Sequence, residues 1–394
     1  MIKFALKNMA TRWVKLLMTA LSVVIACGVA LLAYNISTQV SEGIVNTAAN
    51  YDLIIGPSGS STQLAMNTMF FTDKPLGTIP WSVVEDLEQS GLVNAAIPFS
   101  MGDSYNDAPI VGTEPALLDG KSLSEGAMFA QAYEAVLGWE VARQYGLSVG
   151  DTLITSHGLS SAGADHADSP LTVTGILDRT YTAYDNAVFT ACETIWGLHD
   201  HEAEEEASAD EDAHEHAEAG EICAVLVRTK SLSAYSTLVS AYSDSAEYLA
   251  INPNTVLREV LENVDLSRKI VYILCAVILA MNLFVISVIA LLNMYDSRQE
   301  ISLMRLIGVS MRRINLLYLI QNAIVGVLAM LLSLLAAHLG LLAIRNFVAS
   351  MGIVLNAAHI YPLEWAILVV VFAISILPTM GMNLHIARRD GLKK

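Results

Sequence analysis

Residues 199–216 read HDHEAEEEASADEDAHEH: four histidines and nine carboxylates in eighteen positions, with no lysine, arginine or large apolar residue. Neutral imidazole together with carboxylate is the donor set that suits zinc and similar divalent cations. His199 and His201 form one His-x-His pair and His214 and His216 another. The twelve residues between the pairs can close a loop at modest entropic cost. His157 and His166 lie in a second polar stretch, HGLSSAGADHADS at 157–169, and would add ligands if the two stretches met. The pattern fixes no tetrahedral spacing, and low-complexity runs of His, Asp and Glu also serve as solvated acidic loops. Two readings stay open: a loop that captures or senses a cation such as Zn2+, or a solvating loop. Nothing else in the chain requires a cofactor.

Covalent or hydrolytic chemistry has no comparable constellation. Gly120-Lys121-Ser122 imitates the end of a phosphate-binding P-loop, but the glycine that should open the motif falls at Pro115. No H-E-x-x-H helix is present either. The chain is therefore expected not to be an enzyme.

Membrane helices elsewhere in the chain decide on which side of a membrane these stretches lie. The chain has 394 residues, of which 54% are hydrophobic, and its mean hydropathy is +0.49. Four apolar stretches, Leu16–Tyr34, Ile270–Met294, Ile314–Ile344 and Leu363–Met382, approach or exceed the length that crosses a bilayer. Lys3, Lys7, Arg12 and Lys15 precede the first span. The loop after the second carries Arg298, Arg305, Arg312 and Arg313, and the tail carries Arg388, Arg389, Lys393 and Lys394. By the positive-inside rule all three segments face the cytoplasm, which an even number of spans allows. Residues 36–266 then lie outside, and they hold 35 acidic against 7 basic residues, whereas the remainder is net basic. Val24-Ile25-Ala26-Cys27-Gly28 resembles a lipoprotein cleavage box, but the apolar run continues to Tyr34, which favours an uncleaved span.

The expected fold is an α+β membrane protein: four transmembrane helices, with a large mixed α/β extracytoplasmic domain between the first and second, carried on helical stalks. Residues 1–35 would form an N-terminal amphipathic helix and the first span, 36–266 the external domain with its His/acidic insertion at 199–221, and 267–394 the remaining spans with a cytoplasmic loop at 295–313. Ile36, Val40, Ile44 and Ala48 recur every four residues beyond the first span, as Val256, Val260 and Val264 do before the second. Within the domain, YDLIIG and ICAVLVRT read as strands, and PWSVVEDLEQSG as a helix starting at Pro80 and ending at Gly91. A second unit runs from GWEVARQYGLSVGDTLITS to LTVTGILDRTYTAYDNAVFTACETIW, a short helix followed by strands that the two polar insertions interrupt. Cys192 and Cys223 bracket the acidic insertion and could staple its base as a disulfide, or remain two buried thiols.

The loop DSRQEISLMRLIGVSMRRI places Leu303, Met304, Ile307 and Met311 in a helical rhythm and Arg298, Arg305 and Arg312 seven apart on another face, which leaves Glu300 apart. An arginine, a glutamate, an apolar pair, a further arginine, then Ile-Gly and a basic cluster resemble the cytoplasmic loop of MacB/FtsX-like (type VII) permeases of ABC transporters. FALKNMATRWVKLLMTALSVVIACGVALLAY is similar to that family's N-terminal helix and first span, and YDLIIGPSGS with YGLSVGDTLITS and VTGILDRTYTAYDNAVF to its periplasmic domain. The resemblance implies a bacterial plasma-membrane permease with both termini cytoplasmic and a second permease copy, a homodimer in the simplest case. It also implies a separate cytoplasmic ATPase, coupled through Arg298, Glu300, Arg305, Gly308 and Arg312. In such a pair, ATP-driven closure reaches the external domain through the stalks. Cargo would be a metal, a metal-binding lipoprotein or an amphiphilic compound, with an extracytoplasmic lipoprotein or adaptor as a further partner and no nucleic acid. The alternative is a non-transporting transducer that regulates an external partner such as a cell-wall hydrolase. The spans favour either over an ion path: residues 271–292 hold no ionisable group, His338 is alone in the third span, and Glu364 sits at the outer edge of the fourth. Asn282, Gln321 and Asn322 read as helix-packing groups.

Overall fold

A run that is apolar at consecutive positions, such as Leu53-Ile54-Ile55 or Ala224-Val225-Leu226-Val227, has to be covered on both faces if it is extended. The computed structural model describes residues 9, 13–48, 51–158, 169–198, 220–243, 245–296, 298–349, 353–370, 372–373 and 376, and it pairs these two runs. The strands in chain order are β1 (Leu53–Pro57), β2 (Ile79–Pro80), β3 (Val93–Tyr105), β4 (Ala108–Thr113), β5 (Leu123–Gly126), β6 (Glu134–Leu137) and β7 (Thr152–Leu153). There follow β8 (Ser156–His157), β9 (Leu171–Leu177), β10 (Val188–Ala191), β11 (Glu221–Ile222), β12 (Ala224–Thr229) and β13 (Tyr248–Ile251). The helices are α1 (Trp13–Ala48), α2 (Ser61–Phe70), α3 (Ser82–Gln89), α4 (Trp139–Tyr145), α5 (192–198) and α6 (Leu232–Ser243). After them come α7 (Pro253–Asp296), α8 (Arg298–Leu306), α9 (Met311–Ala349) and α10 (362–370).

The chain divides into two units: a sheet unit of Val40–Val264 with Arg345–Leu355, and a helical unit of Met1–Gln39, Asp265–Ile344 and Asn356–Lys394. Among the described residues of the sheet unit, one sheet holds eleven strands. Nine run in the order β13-β1-β12-β3-β4-β10-β6-β9-β5, with β7 paired to β9 and β8 to β3. β1 and β12 are antiparallel, with Leu53 opposite Val227, Ile54 opposite Leu226 and Ile55 opposite Val225. Alternate residues therefore enter different cores. Ile54, Leu226, Ile97 and Phe99 pack with Leu64, Met69 and Phe70 of α2 on one face. Leu53, Ile55, Val225 and Val227 pack with Val83, Val84 and Leu87 of α3 and Leu238 of α6 on the other. Each such fully buried aliphatic or aromatic side chain contributes about 1.5–3 kcal/mol relative to exposure. Ile44 of α1 and Val256 and Leu257 of α7 also belong to the first core. A third core gathers Leu137, Val173 and Val188 with Val141 of α4 and Ile195 and Leu198 of α5.

Two local expectations are corrected. The helix expected to start at Pro80 starts at Ser82, because Pro80 pairs with Glu221 in the two-stranded ribbon β2–β11. The strand expected to run on to Trp196 ends at Ala191, and residues 192–198 are helical. Cys192, Ile195 and Leu198 are buried at a spacing of three, a helical period. Thr194 fixes that turn: its hydroxyl accepts the Tyr133 N–H at 2.9 Å and lies 2.8 Å from the Thr190 hydroxyl.

Among the described residues of the helical unit, α1 and α9 contain the two segments long and apolar enough to cross a membrane, within Leu16–Ile44 and Met311–Ala349. Val23 and Cys27 pack with Ala329, and Leu31 packs with Ala337 and Leu368. Small residues let the backbones approach: a Cβ at Gly28 would lie 3.5 Å from that of Ala336. Asn282 donates from Nδ2 to the Ser22 carbonyl at 2.6 Å, a polar tie between α7 and α1.

Gly138 opens α4 where the chain crosses the 184–185 backbone, and a Cβ there would stand 2.3 Å from the Tyr184 carbonyl oxygen and 2.5 Å from that of Asp185. Gly138→Ala should therefore destabilise the sheet unit by about 1–3 kcal/mol or more, the usual cost of overpacking. Thermal unfolding of the full chain in detergent checks this, and an unchanged midpoint would contradict the close approach.

Candidate functional site

The basic loop is built around a helix end rather than one continuous helix. α8 stops at Leu306, and Gly308 adopts the left-handed conformation at φ 87°. The Gly308 N–H donates to the Arg305 carbonyl at 3.0 Å and the Val309 N–H to the Met304 carbonyl at 3.0 Å, the paired bonds of a Schellman cap. α9 then begins: the N–H groups of Arg313 and Ile314 donate to the Ser310 carbonyl at 2.9 and 3.2 Å. A Cβ at Gly308 would meet nothing within 4 Å, so glycine serves the backbone conformation and not a tight contact. Arg312 consequently lies on a different helix from Arg298 and Arg305, and the seven-residue alignment expected from the sequence is broken by the cap. Leu303, Leu306 and Ile307 are exposed, the last two by 83% and 80%, among exposed Arg305, Arg312 and Arg313. The backbones of Arg298 and Glu300 belong to α8, and their side chains lie outside the described set. A turn of this kind presents apolar side chains ringed by guanidinium groups, a surface suited to a partner with an acidic rim.

His199, His201, His214, His216 and His166 lie outside the described residues. His157 is described: β8 pairs it with Asp103 of β3, and its Nδ1 lies 3.4 Å from Asp103 Oδ1. The Asp103 side chain is fully buried, whereas that of His157 is 40% exposed. Among the described residues no group of three or more His, Cys, Asp or Glu side chains is placed to hold a metal.

Cys192 and Cys223 are both free and buried in the structure, one of the two arrangements that the sequence leaves open. Cys192 packs in the core under α3 and Cys223 in the core under α2, on opposite faces of the sheet. Cys223 Sγ instead lies 3.6 Å from the Met101 carbonyl and 3.9 Å from the Ser100 hydroxyl. Burial raises both thiols above the ordinary cysteine range. Tryptophans hold the base of the insertion. Trp81 and Trp196 meet edge to face at 5.4 Å, Trp196 Nε1 donates to the Glu221 carbonyl at 2.6 Å, and the Trp81 N–H donates to the Gly220 carbonyl at 2.7 Å. The Thr78 hydroxyl donates to the Glu221 carboxylate.

In the helical unit the structure joins two groups that sequence reading left separate. His338 Nε2 lies 3.3 Å from Glu364 Oε2, and His338 Nδ1 lies 2.7 Å from the Ala357 carbonyl. The fully buried Glu364 also accepts the Tyr361 N–H at 2.9 Å. Both ring nitrogens face acceptors, so the pair has two self-consistent forms: imidazolium with carboxylate, or an Nδ1–H imidazole with a carboxylic acid donating to Nε2. Either form carries no net charge. Beside it Gln39 Nε2 donates to the Asn356 carbonyl at 3.1 Å and accepts the Asn356 N–H at Oε1 at 2.6 Å. The signal available in the sequence was that each of the last two spans holds one ionisable group, on segments joined by a short loop.

The family of MacB-like periplasmic core domains matches residues 16–241, and that of FtsX-like permease C-terminal domains matches residues 270–383. No curated protein matches the chain.

Replacing Gly308 by valine forces a β-branched residue into the left-handed region at a cost of about 1–2 kcal/mol. The α8–α9 cap should loosen, with amide exchange at Gly308-equivalent and Val309 positions accelerating by roughly tenfold. Hydrogen exchange in detergent micelles reads this, and unaltered protection at both amides would contradict the capping geometry.

Proposed function

The chain belongs to the MacB/FtsX-like permeases of ABC transporters, and on that premise we propose that it is the membrane subunit through which a separate cytoplasmic ATPase drives the extracytoplasmic sheet unit. Permeases of this family generally work with such an ATPase. The observation that carries the proposal is the α8–α9 turn: a rigidly capped loop that exposes Leu306 and Ile307 among Arg305, Arg312 and Arg313. ATP-driven closure of the partner pushes on this turn, and α1 and α7, each an unbroken helix, carry the displacement. The apolar segments 270–294 and 363–382 complete four spans, with both termini in the cytoplasm. Exposed Ile273, Leu274, Val277, Met281 and Phe284 on α7 suit a lipid or second-copy environment, and two copies of the chain make the working permease.

The acidic insertion binds a divalent transition cation such as Zn2+ in this proposal, through His199, His201, His214 and His216. The support is its composition: imidazole pairs among carboxylates in a segment with no competing cation. The cargo is then a metal ion or a metal-bearing partner at the outer face, and transport, not regulation of an external hydrolase, is the favoured use of the motion.

Ile307→Asp should lower stimulation of the partner ATPase by an order of magnitude or more, a loss of about 1.4 kcal/mol or greater at a central apolar contact. Arg305→Glu should do the same while the thermal midpoint of the permease stays unchanged. Full stimulation by both variants would mean that the ATPase docks elsewhere. For the metal, calorimetric titration of the full chain with zinc should show heat that disappears when residues 199–218 are deleted; an isotherm unchanged by the deletion would sink the assignment.

A further inference from the structure

The sheet unit is strongly acidic, yet one pocket in it is lined by two cations. A cavity of about 300 Å³ is walled by Lys121, Ser122, Asp178, Arg179, Thr180 and Tyr184, with Thr47 of α1 contributing to the same wall. Lys121 Nζ sits 3.8 Å from the centroid of the Tyr184 ring. The Arg179 guanidinium makes cation–π contacts with two aromatic rings, 4.4 Å from the Trp139 centroid and 4.5 Å from that of Tyr181. Such contacts hold the guanidinium in place without supplying a hydrogen-bond acceptor in its plane. Among the described residues Arg179 Nε is buried with no hydrogen-bond partner. Neither Arg179 nor Lys121 has a salt bridge or side-chain hydrogen bond to a described residue.

The carboxylates whose fields reach Arg179, Glu140 and Asp185, are bonded elsewhere, Glu140 to Arg143. Asp185 is spent on the adjoining turn: its Oδ1 accepts the Thr180 N–H at 2.8 Å and the Thr180 hydroxyl at 2.6 Å, and its Oδ2 accepts the Tyr181 N–H at 2.9 Å. Asp119 lies 3.4 Å from Arg228. Asp178 is exposed at the rim. Burial, with the field of Arg228 behind it, holds the Lys121 ammonium below the usual lysine range, although Asp119 and Asp185 pull the other way. That is the direction expected of a cation lacking a close counter-charge.

We propose that this pocket binds a phosphoryl group, free or as the headgroup of an amphiphile, between Lys121 and Arg179. The donor count favours phosphate over carboxylate. The Thr180 hydroxyl is engaged with Asp185 and, at 2.7 Å, with that of Thr182, but guanidinium N–H groups, the ammonium protons turned away from Tyr184 and the Ser122 hydroxyl remain. Two carboxylate oxygens would leave much of that set unused, whereas a phosphoryl group offers three strong acceptors. The Gly120-Lys121-Ser122 triplet thus meets a phosphate without belonging to a nucleotide-binding loop. The site is independent of the permease reading.

Calorimetric titration of the full chain in detergent with inorganic phosphate, with glycerol 3-phosphate and with acetate tests it. Saturable binding of either phosphoryl probe is expected, weakened at least about tenfold by Lys121→Met and by Arg179→Gln, the scale of a lost charge-assisted contact. Tighter binding of glycerol 3-phosphate than of phosphate would assign a headgroup, and the reverse a free anion. Acetate binding as tightly as phosphate, or phosphoryl binding that neither substitution weakens, or no saturable binding of either phosphoryl probe, would overturn the proposal. If Arg179→Gln lowers the thermal midpoint, Lys121→Met decides alone, since its side chain keeps the apolar stem against Tyr184.

Discussion

Burial of β1 and β12 on both faces is the constraint on which the sheet unit rests. Leu53 and Ile55 point one way and Ile54 the other, so one strand serves two cores and neither face tolerates water. Shifting the pairing by one residue would exchange every side chain between the cores, and that holds the register. With both faces closed by α2 on one side and α3 and α6 on the other, polar function is driven to the edges and loops. Among the described residues, the polar groups that line the cationic pocket accordingly sit in the 120–122 and 178–184 segments between strands.

How far the sequence was legible follows from which physical signals are local. The apolar runs at 53–55 and 224–227 announced strands because consecutive β-branched and aliphatic residues have few other uses. Membership of the permease family was readable for the same reason: the order of apolar spans and the basic loop is a linear pattern. The helix at 192–198 was not, because its Val188-Phe189 lead-in has strong strand propensity and the decisive contacts, Thr194 with Tyr133 and Trp196 with Glu221, are remote in the chain. A cysteine pair flanking a loop suggests a staple, but Cys192 opens the helix α5 and Cys223 lies between β11 and β12, and the two thiols pack into different cores. The break at Gly308 was visible as a glycine and misread as part of one helix, since periodicity alone does not record the sign of φ. The cationic pocket was least legible of all. Lys121 and Arg179 come from separate loops, and only the fold brings them to one wall.

The helical unit follows a different rule. Apolar packing against small residues, as of Leu32 near Gly340, gives little preference for one register over another. Polar ties supply it: Asn282 with the Ser22 carbonyl, Gln39 with both backbone groups of Asn356, and His338 with Glu364. The last pair, with the Ala357 carbonyl on the other ring nitrogen and the Tyr361 N–H on the carboxylate, ties the 357–364 segment to α9.

The tryptophan clasp at the root of the acidic insertion has a consequence for how such a protein changes over time. Trp81, Trp196 and the β2–β11 ribbon hold the described residues on either side of the segment 199–219. Whatever lies between them closes a loop whose ends are already held, and doubling its length adds only about 0.6 kcal/mol of closure cost. A change in the number of residues between 198 and 220 therefore asks little of the strands beneath, whose register is held by the pairing of β1 with β12.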